Sequence, residues 1–255
     1  MIHPSAIVHP NALIERGVEI GPYCLVGEHV KIGTGTVLQA HVVINGWTTL
    51  GKDCNIYPFA TIGAASQDKK YVGERAYTKI GDRTVIREYV SIQRATGEEQ
   101  VTAVGDDCLL LAYVHIAHNC IVGNGVTMSN LAQLAGHCEV GDHANIGGMA
   151  GLHQFTRVGR YAMVGGASKL TRDLPPFFLV EGNPAQLHGL NSVGLRRAGF
   201  SLQERSEIKK FYKMLYSPAL TMVQAVDEMK NEAVTEPGKE IVAFLEAQSQ
   251  RGVIK

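Results

Sequence analysis

The sequence predicts a mainly β protein: a left-handed parallel β-helix of hexapeptide repeats followed by a C-terminal α-helical domain. Three observations carry that reading. An aliphatic or Met anchor recurs every sixth residue, a small or β-branched residue follows each anchor by four positions, and the period turns helical beyond Leu170. The anchors run from Ile2 to Ile62, resume at Ile80, Ile86 and Ile92, and continue from Val104 to Leu170 without a polar exception. In a chain of 45% hydrophobic residues, chance does not sustain such a series. A six-residue period matches neither a helix stripe nor strand alternation. It is the hexapeptide signature of a β-helix.

Each hexad reads as one short strand and one corner, and three hexads make one coil. The anchor and the small residue (Ala6, Ala12, Val18, Cys24, Val30, Thr36) point into a narrow prism. Glycine often follows the anchor directly, as at Gly21, Gly33, Gly51, Gly105 and Gly141. We expect those glycines to relieve the corner dihedrals. Roughly nine coils are expected, stacked about 4.8 Å apart. A left-handed winding departs from the usual right-handed crossover.

The predicted β-helix covers residues 1–183 and the helical domain residues 184–255. The register breaks at 63–79 and 95–103 yet resumes in phase, so both segments project as loops from a rigid scaffold, where binding residues concentrate. Asp173-Leu174-Pro175-Pro176 and Asn183-Pro184 form a breaker-rich linker. Ser201-Leu202-Gln203-Glu204 is a capping box, and amphipathic stretches follow it, near Leu220–Met229 and Lys239–Ala247. We expect this tail to fold back over the open end and flank of the prism, where an uncovered edge invites association.

Lys+Arg and Asp+Glu both number 24, which gives no basic footprint for nucleic acid. No apolar run reaches membrane-spanning length and no signal-peptide profile opens the chain, so a cytoplasmic protein without stable membrane insertion is expected. Cys24, Cys54, Cys108, Cys120 and Cys138 all take the small inward position and none forms a CxxC pair. They read as buried small hydrophobes.

Chemistry points to the third block of repeats. His115, His118, His137, His143 and His153 all take outward positions there. Such a cluster fits two chemistries: a zinc site shared between subunits, as in a γ-type carbonic anhydrase, or a general base for acyl transfer. Spacing alone leaves both open.

Ala112-Tyr113-Val114-His115-Ile116-Ala117-His118-Asn119-Cys120 resembles the HIxHD-type segment of a hexapeptide acyltransferase family. Gln67-Asp68-Lys69-Lys70-Tyr71, Leu134-Ala135-Gly136-His137, His153-Gln154-Phe155, Asp173-Leu174-Pro175-Pro176, Glu181-Gly182-Asn183-Pro184-Ala185 and Gly189-Leu190-Asn191 match it in order. Together they resemble the UDP-N-acetylglucosamine O-acyltransferases that open lipid A synthesis. The resemblance implies transfer of a 3-hydroxyacyl group from acyl carrier protein to the sugar 3-hydroxyl. It also implies a homotrimer with sites between prisms, and no metal or other cofactor. By the same matching, His118 is the general base, Gly136 the main-chain oxyanion donor and Asn119 the partner of His118. Gln67, Asp68, Lys70, His115, His137, His153, Gln154, Asn191 and Arg197 hold substrate, and Gly166 helps set acyl length. His143 is left outside the site.

Four positions depart from the family pattern. Asn119 stands where an aspartate is usual, Gln93 and Pro184 replace common histidines, and Ala198 replaces the second arginine of a pair. Asn119 orients an imidazole but cannot stabilise its charged form, so acylation of a 3-amino sugar nucleotide is the alternative reaction. The paralogous N-acyltransferase of the pathway carries a domain ahead of its repeats, whereas the repeats here begin at Ile2. From His143 to Arg172 there is no Asp or Glu, while Arg157, Arg160, Lys169 and Arg172 are present. Arg196, Arg197, Lys209, Lys210 and Lys213 follow, and this surface is expected to steer an acidic carrier protein.

Overall fold

The computed structural model describes all residues, 1–255. The chain winds as a left-handed β-helix of parallel coils, with three flat faces meeting at three corners. The first face stacks nine strands, from Ile7–Val8 to Lys169–Leu170. The second stacks eight, from Leu13–Ile14 to Arg157–Val158. The third stacks ten, from Glu19–Ile20 through Met163–Val164 and Phe178–Glu181 to Gln186–Leu190. All pairings are parallel except the last, an antiparallel hairpin that leads out of the prism.

The register is that of the hexad. Ile92 lies over Ile116, Ile116 over Leu134, and Leu134 over Leu152. These anchors are fully or almost fully buried, each removing apolar surface worth about 1.5–3 kcal/mol. All five cysteines are free and buried at the small inward positions.

The glycines after the anchors do something other than expected. Gly21, Gly33, Gly51 and Gly141 do not have positive φ. A Cβ on Gly33 would lie 2.6 Å from the Gly51 carbonyl oxygen, and one on Gly141 2.7 Å from the Arg160 nitrogen. They are small because neighbouring coils touch there. The left-handed conformation falls two residues later, mostly on residues with side chains, such as His41 (φ 60°), Tyr113 (φ 63°) and His137 (φ 60°). That conformation is uncommon for such residues. Here it is held by a main-chain bond to the coil before, as from Tyr113 N–H to Glu88 O (3.0 Å).

The projecting loops are shorter than the register breaks suggest. Strands Thr61–Ala64, Tyr77–Ile80 and Val101–Val104 reach into both segments. Thr78 and Thr102 lie beside Thr48 in the register of the second face, at the small inward position. Both loops leave the first–second corner.

Beyond the prism come α1 (Ser192–Arg197), α2 (Leu202–Leu215), α3 (Met222–Glu232) and α4 (Glu236–Glu246). The Ser201–Glu204 capping box is present, and Thr221–Gln224 makes a second. Ile208, Phe211, Ile241 and Val242 join Leu174, Phe177 and Phe178 in one continuous core. The tail thus covers the open end, as expected. Val253 bridges Asp173, covering the backbone where the second face ends.

Candidate active site

The first–second corner of three successive coils carries His118, Gly136 and Gln154 at one hexad position, and Asn119, His137 and Phe155 at the next. The repeat places these six groups on one edge. His137 stacks on Phe155 (ring centroids 4.7 Å apart) and meets His118 edge-on (5.2 Å). Burial is the main cause that lowers the His137 pKa, with the adjacent His118 adding to it. Both effects disfavour the charged imidazolium at His137.

Gly136 is where the ring of His118 lies. A Cβ there would be 2.5 Å from His118 Nε2, so a side chain would displace the imidazole. The Gly136 N–H donates to no acceptor within the chain, although the Gly136 carbonyl accepts from Phe155 N–H (3.1 Å). An imidazole beside an unused main-chain donor is what a proton transfer coupled to oxyanion formation requires.

The first loop brings Asp68 to the other side of the ring, its Oδ2 3.9 Å from His118 Nε2. That exceeds hydrogen-bond length, so the Nε2 site stays open. Asp68 Oδ1 accepts from the Lys70 N–H (3.0 Å), and the Gln67 N–H donates to Gln93 Oε1 (3.3 Å). Gln93 is buried at the root of the second loop. Arg94 braces the first loop through the Gly63 carbonyl (3.0 Å) and the Tyr71 hydroxyl (3.4 Å).

Of the remaining predicted residues, Gly166, Asn191 and Arg197 lie away from this corner. His115 projects from the first face, bonded to Ser91 Oγ (2.8 Å), with its pKa lowered by burial. His153 and Gln154 continue the corner one coil beyond Gly136, Gln154 being exposed. Gly166 is exposed at the third–first corner, a different edge of the prism. Asn191 is the N-cap of α1: it accepts from Gly194 N–H (3.0 Å) and donates to the Tyr161 carbonyl (2.9 Å). Arg197 ends α1 and is exposed. No group of three or more His, Cys, Asp or Glu side chains converges as a metal ligand set.

The basic surface expected between Arg157 and Lys213 needs correction. Arg157 pairs with fully buried Asp173 (2.8 Å) and lies over the Phe244 ring. Arg160 pairs with Glu240 (2.7 Å) and Lys210 with Glu232 (2.5 Å). Those cations hold the helices in place. Lys169, Arg172, Arg196, Arg197, Lys209 and Lys213 form no ion pair within the chain. Sequence reading also passed over Ser66, Ser91 and Thr96, which hold the site together. Polar loop-root residues beside the inward ladder were the available signal.

A prism of hexapeptide coils with this corner defines an acyltransferase of the hexapeptide-repeat class. Residues 173–254 match the family described as Udp N-acetylglucosamine O-acyltransferase, domain 2. The chain is 49% identical over 257 residues to the acyl-[acyl-carrier-protein]–UDP-N-acetylglucosamine O-acyltransferase of Thermodesulfovibrio yellowstonii, covering 100% of this chain and 99% of that protein. Its counterpart in Paraburkholderia xenovorans is 46% identical over 260 residues, with the same coverage. Among solved structures, LpxA from Acinetobacter baumannii superposes with a TM-score of 0.96 at 40% identity, covering 100% of this chain and 99% of that one. The Arabidopsis UDP-N-acetylglucosamine acyltransferase gives 0.89 at 32% identity, covering 100% of both. This chain belongs to the acyl-[acyl-carrier-protein]–UDP-N-acetylglucosamine O-acyltransferase family.

Proposed function

We propose that this protein transfers a 3-hydroxyacyl group from acyl carrier protein to the 3-hydroxyl of UDP-N-acetylglucosamine, the first step of lipid A synthesis, in the cytoplasm. The observation that carries the reading is Gly136, whose N–H has no acceptor in the chain and whose missing side chain leaves the room that the His118 ring fills. His118 Nε2 takes the hydroxyl proton as the sugar oxygen attacks the thioester carbonyl. The new C–O bond leaves an oxyanion, and the Gly136 N–H donates to it. The C–S bond then breaks, and the imidazolium returns the proton to the departing thiolate. Such a base contributes roughly 10²–10⁴-fold and one oxyanion donor about 10²–10³-fold. The step calls on no metal or further cofactor. Asp68, Lys70, Gln67, His137, His153 and Gln154 hold the sugar nucleotide and acyl chain around this corner, and His115 lines the adjoining face.

A homotrimer is part of the reading. Gly166 lies on a different edge from His118 on one chain, so an acyl group reaching both would bridge two copies. The third–first corner supports this. Tyr23, His41, Phe59, Tyr89 and Tyr113 stack there at 4.8 to 5.0 Å, and Leu131 and Met149 continue the stripe with their apolar surface exposed. An apolar stripe of this length calls for a covering partner. The unpaired cations Lys169, Arg172, Arg196, Arg197, Lys209 and Lys213 are the ones left to steer an acidic carrier protein.

Mass spectrometry of the product tests the acceptor. With 3-hydroxyacyl carrier protein supplied, UDP-N-acetylglucosamine and its 3-amino analogue compete. The expected product is the ester on the natural sugar. An amide on the analogue with little ester would replace this reaction by N-acylation, and no product from either would overturn acyl transfer.

A further inference from the structure

We propose that Thr96, in the second projecting loop, is a positioning residue: its main chain orients Asn119 and so sets which nitrogen of His118 is the base, and its hydroxyl places the Asp68 loop. The inference rests on the reaction above and concerns how its base is prepared. Asn119 Oδ1 accepts from the Thr96 N–H (3.0 Å), and Asn119 Nδ2 donates to the Thr96 carbonyl (3.1 Å). This paired contact has one sense only. A flipped amide would set NH₂ against N–H and oxygen against carbonyl. The Asn119 main chain is fixed as well, its N–H donating to Thr102 Oγ1 (2.8 Å). With its orientation fixed, Oδ1 stands 2.9 Å from His118 Nδ1. An amide oxygen only accepts, so Nδ1 carries the proton. The neutral ring then has its lone pair on Nε2, the nitrogen beside Gly136 and facing Asp68.

The hydroxyl of the same threonine reaches the other side of the ring. Thr96 Oγ1 and Ser66 Oγ are 2.7 Å apart, and Ser66 Oγ accepts from the Asp68 N–H (3.1 Å). Next to it, the Gly97 N–H donates to Glu74 Oε1 (2.6 Å), joining the two loops. Thr96 therefore registers both the orienting amide and the carboxylate loop against one imidazole. It also explains why an amide suits this chain at position 119. A carboxylate would keep the bonds to the Thr96 N–H and to Nδ1–H, but its second oxygen would face the Thr96 carbonyl.

Four variants and one spectrum test this. Long-range ¹H–¹⁵N correlation of imidazole-labelled protein, with the signal assigned by loss in H118Q, reads the tautomer in the free enzyme. The expected result is Nδ1–H in the wild type. N119D is expected to lower kcat on the order of tenfold, the scale of one poorly paired, half-buried polar group, and to shift the acid limb of the kcat–pH profile. T96A loses the hydroxyl and the γ-methyl and keeps the main-chain pairing to Asn119. It is expected to raise KM for the nucleotide sugar several-fold while the tautomer holds, and T96S should recover most of that loss. An Nε2–H tautomer in the wild type, an N119D enzyme at least as fast as the wild type, or a T96A enzyme with unchanged KM would each overturn the proposal. The tautomer needs no substrate. A protein with Nδ1–H and no acyl transfer would sink the reaction and leave the positioning intact.

Discussion

Two corners of the same prism, built from the same hexad, treat their main-chain donors in opposite ways. At the second–third corner an Asx ladder closes them. Asp82 Oδ1 accepts from Lys52 N–H, Asp106 from Asp82, Asn124 from Asp106 and Asp142 from Asn124, all at 2.7 to 2.8 Å. At the first–second corner the same hexad position carries His118, Gly136 and Gln154, and none of their N–H groups has an acceptor in the chain. One corner spends its donors on holding coil to coil. The other leaves them open beside an imidazole. The candidate site is the edge where open main-chain donors and an outward histidine coincide.

That contrast breaks most sharply at glycine. G136A should reduce kcat on the order of 10²-fold or more, since the methyl displaces the base from the donor, with little change in melting temperature. G105A, at the ladder corner, should do the reverse. Its Cβ would sit 2.7 Å from the Gly123 carbonyl carbon, so overpacking should cost about 1–3 kcal/mol while the folded fraction keeps its kcat. Equal effects of both on activity would erase the difference between the corners. H118A should lose roughly 10²–10⁴-fold in kcat with the fold intact. Smaller in scale, N124A removes one rung of the ladder and should lower stability by about 1 kcal/mol, read as a shifted urea midpoint without a change in kcat. An N124A protein with lowered kcat would mean that the closed corner takes part in the reaction.

The sequence made the fold legible because every sixth residue reports directly on an interior position, and the prism admits no polar anchor. Of the candidate site, the sequence foreshadowed the juxtaposition where an outward His repeated on one edge: the His118 and His137 rings meet. What stayed hidden depends on contacts between segments that periodicity does not encode. Thr96 reads as an ordinary loop threonine until the loop is seen folded against Asn119. Arg157 reads as a surface cation until buried Asp173 appears beside it. The glycines after the anchors looked like corner residues because their spacing is equally consistent with a dihedral need and with a close approach. Only the stacking distance separates the two.

The weakest expected effect separates the imidazoles near the candidate site from the ladder corner by pH. His137 and His115 have pKa values below the ordinary 6.5, each chiefly through burial. Such a group binds fewer protons folded than unfolded, so its share of stability is complete above about pH 6.5. It is lost as the pH falls from there through the lower folded value. The ladder corner points the other way in its cause. Asp107 is held below the usual carboxylate range by Arg83, which donates to it through two nitrogens at 2.7 Å. Its contribution is present above the unfolded carboxylate value of 3.8 and is lost only in more acid solution. Urea midpoints at pH 7.5 and 5.5 should therefore differ in the wild type, and the difference should shrink when His115 and His137 are both changed to Gln. R83Q should leave that interval unaltered. An undiminished pH difference in the His variant would place the titrating groups elsewhere and remove burial of these imidazoles as the cause.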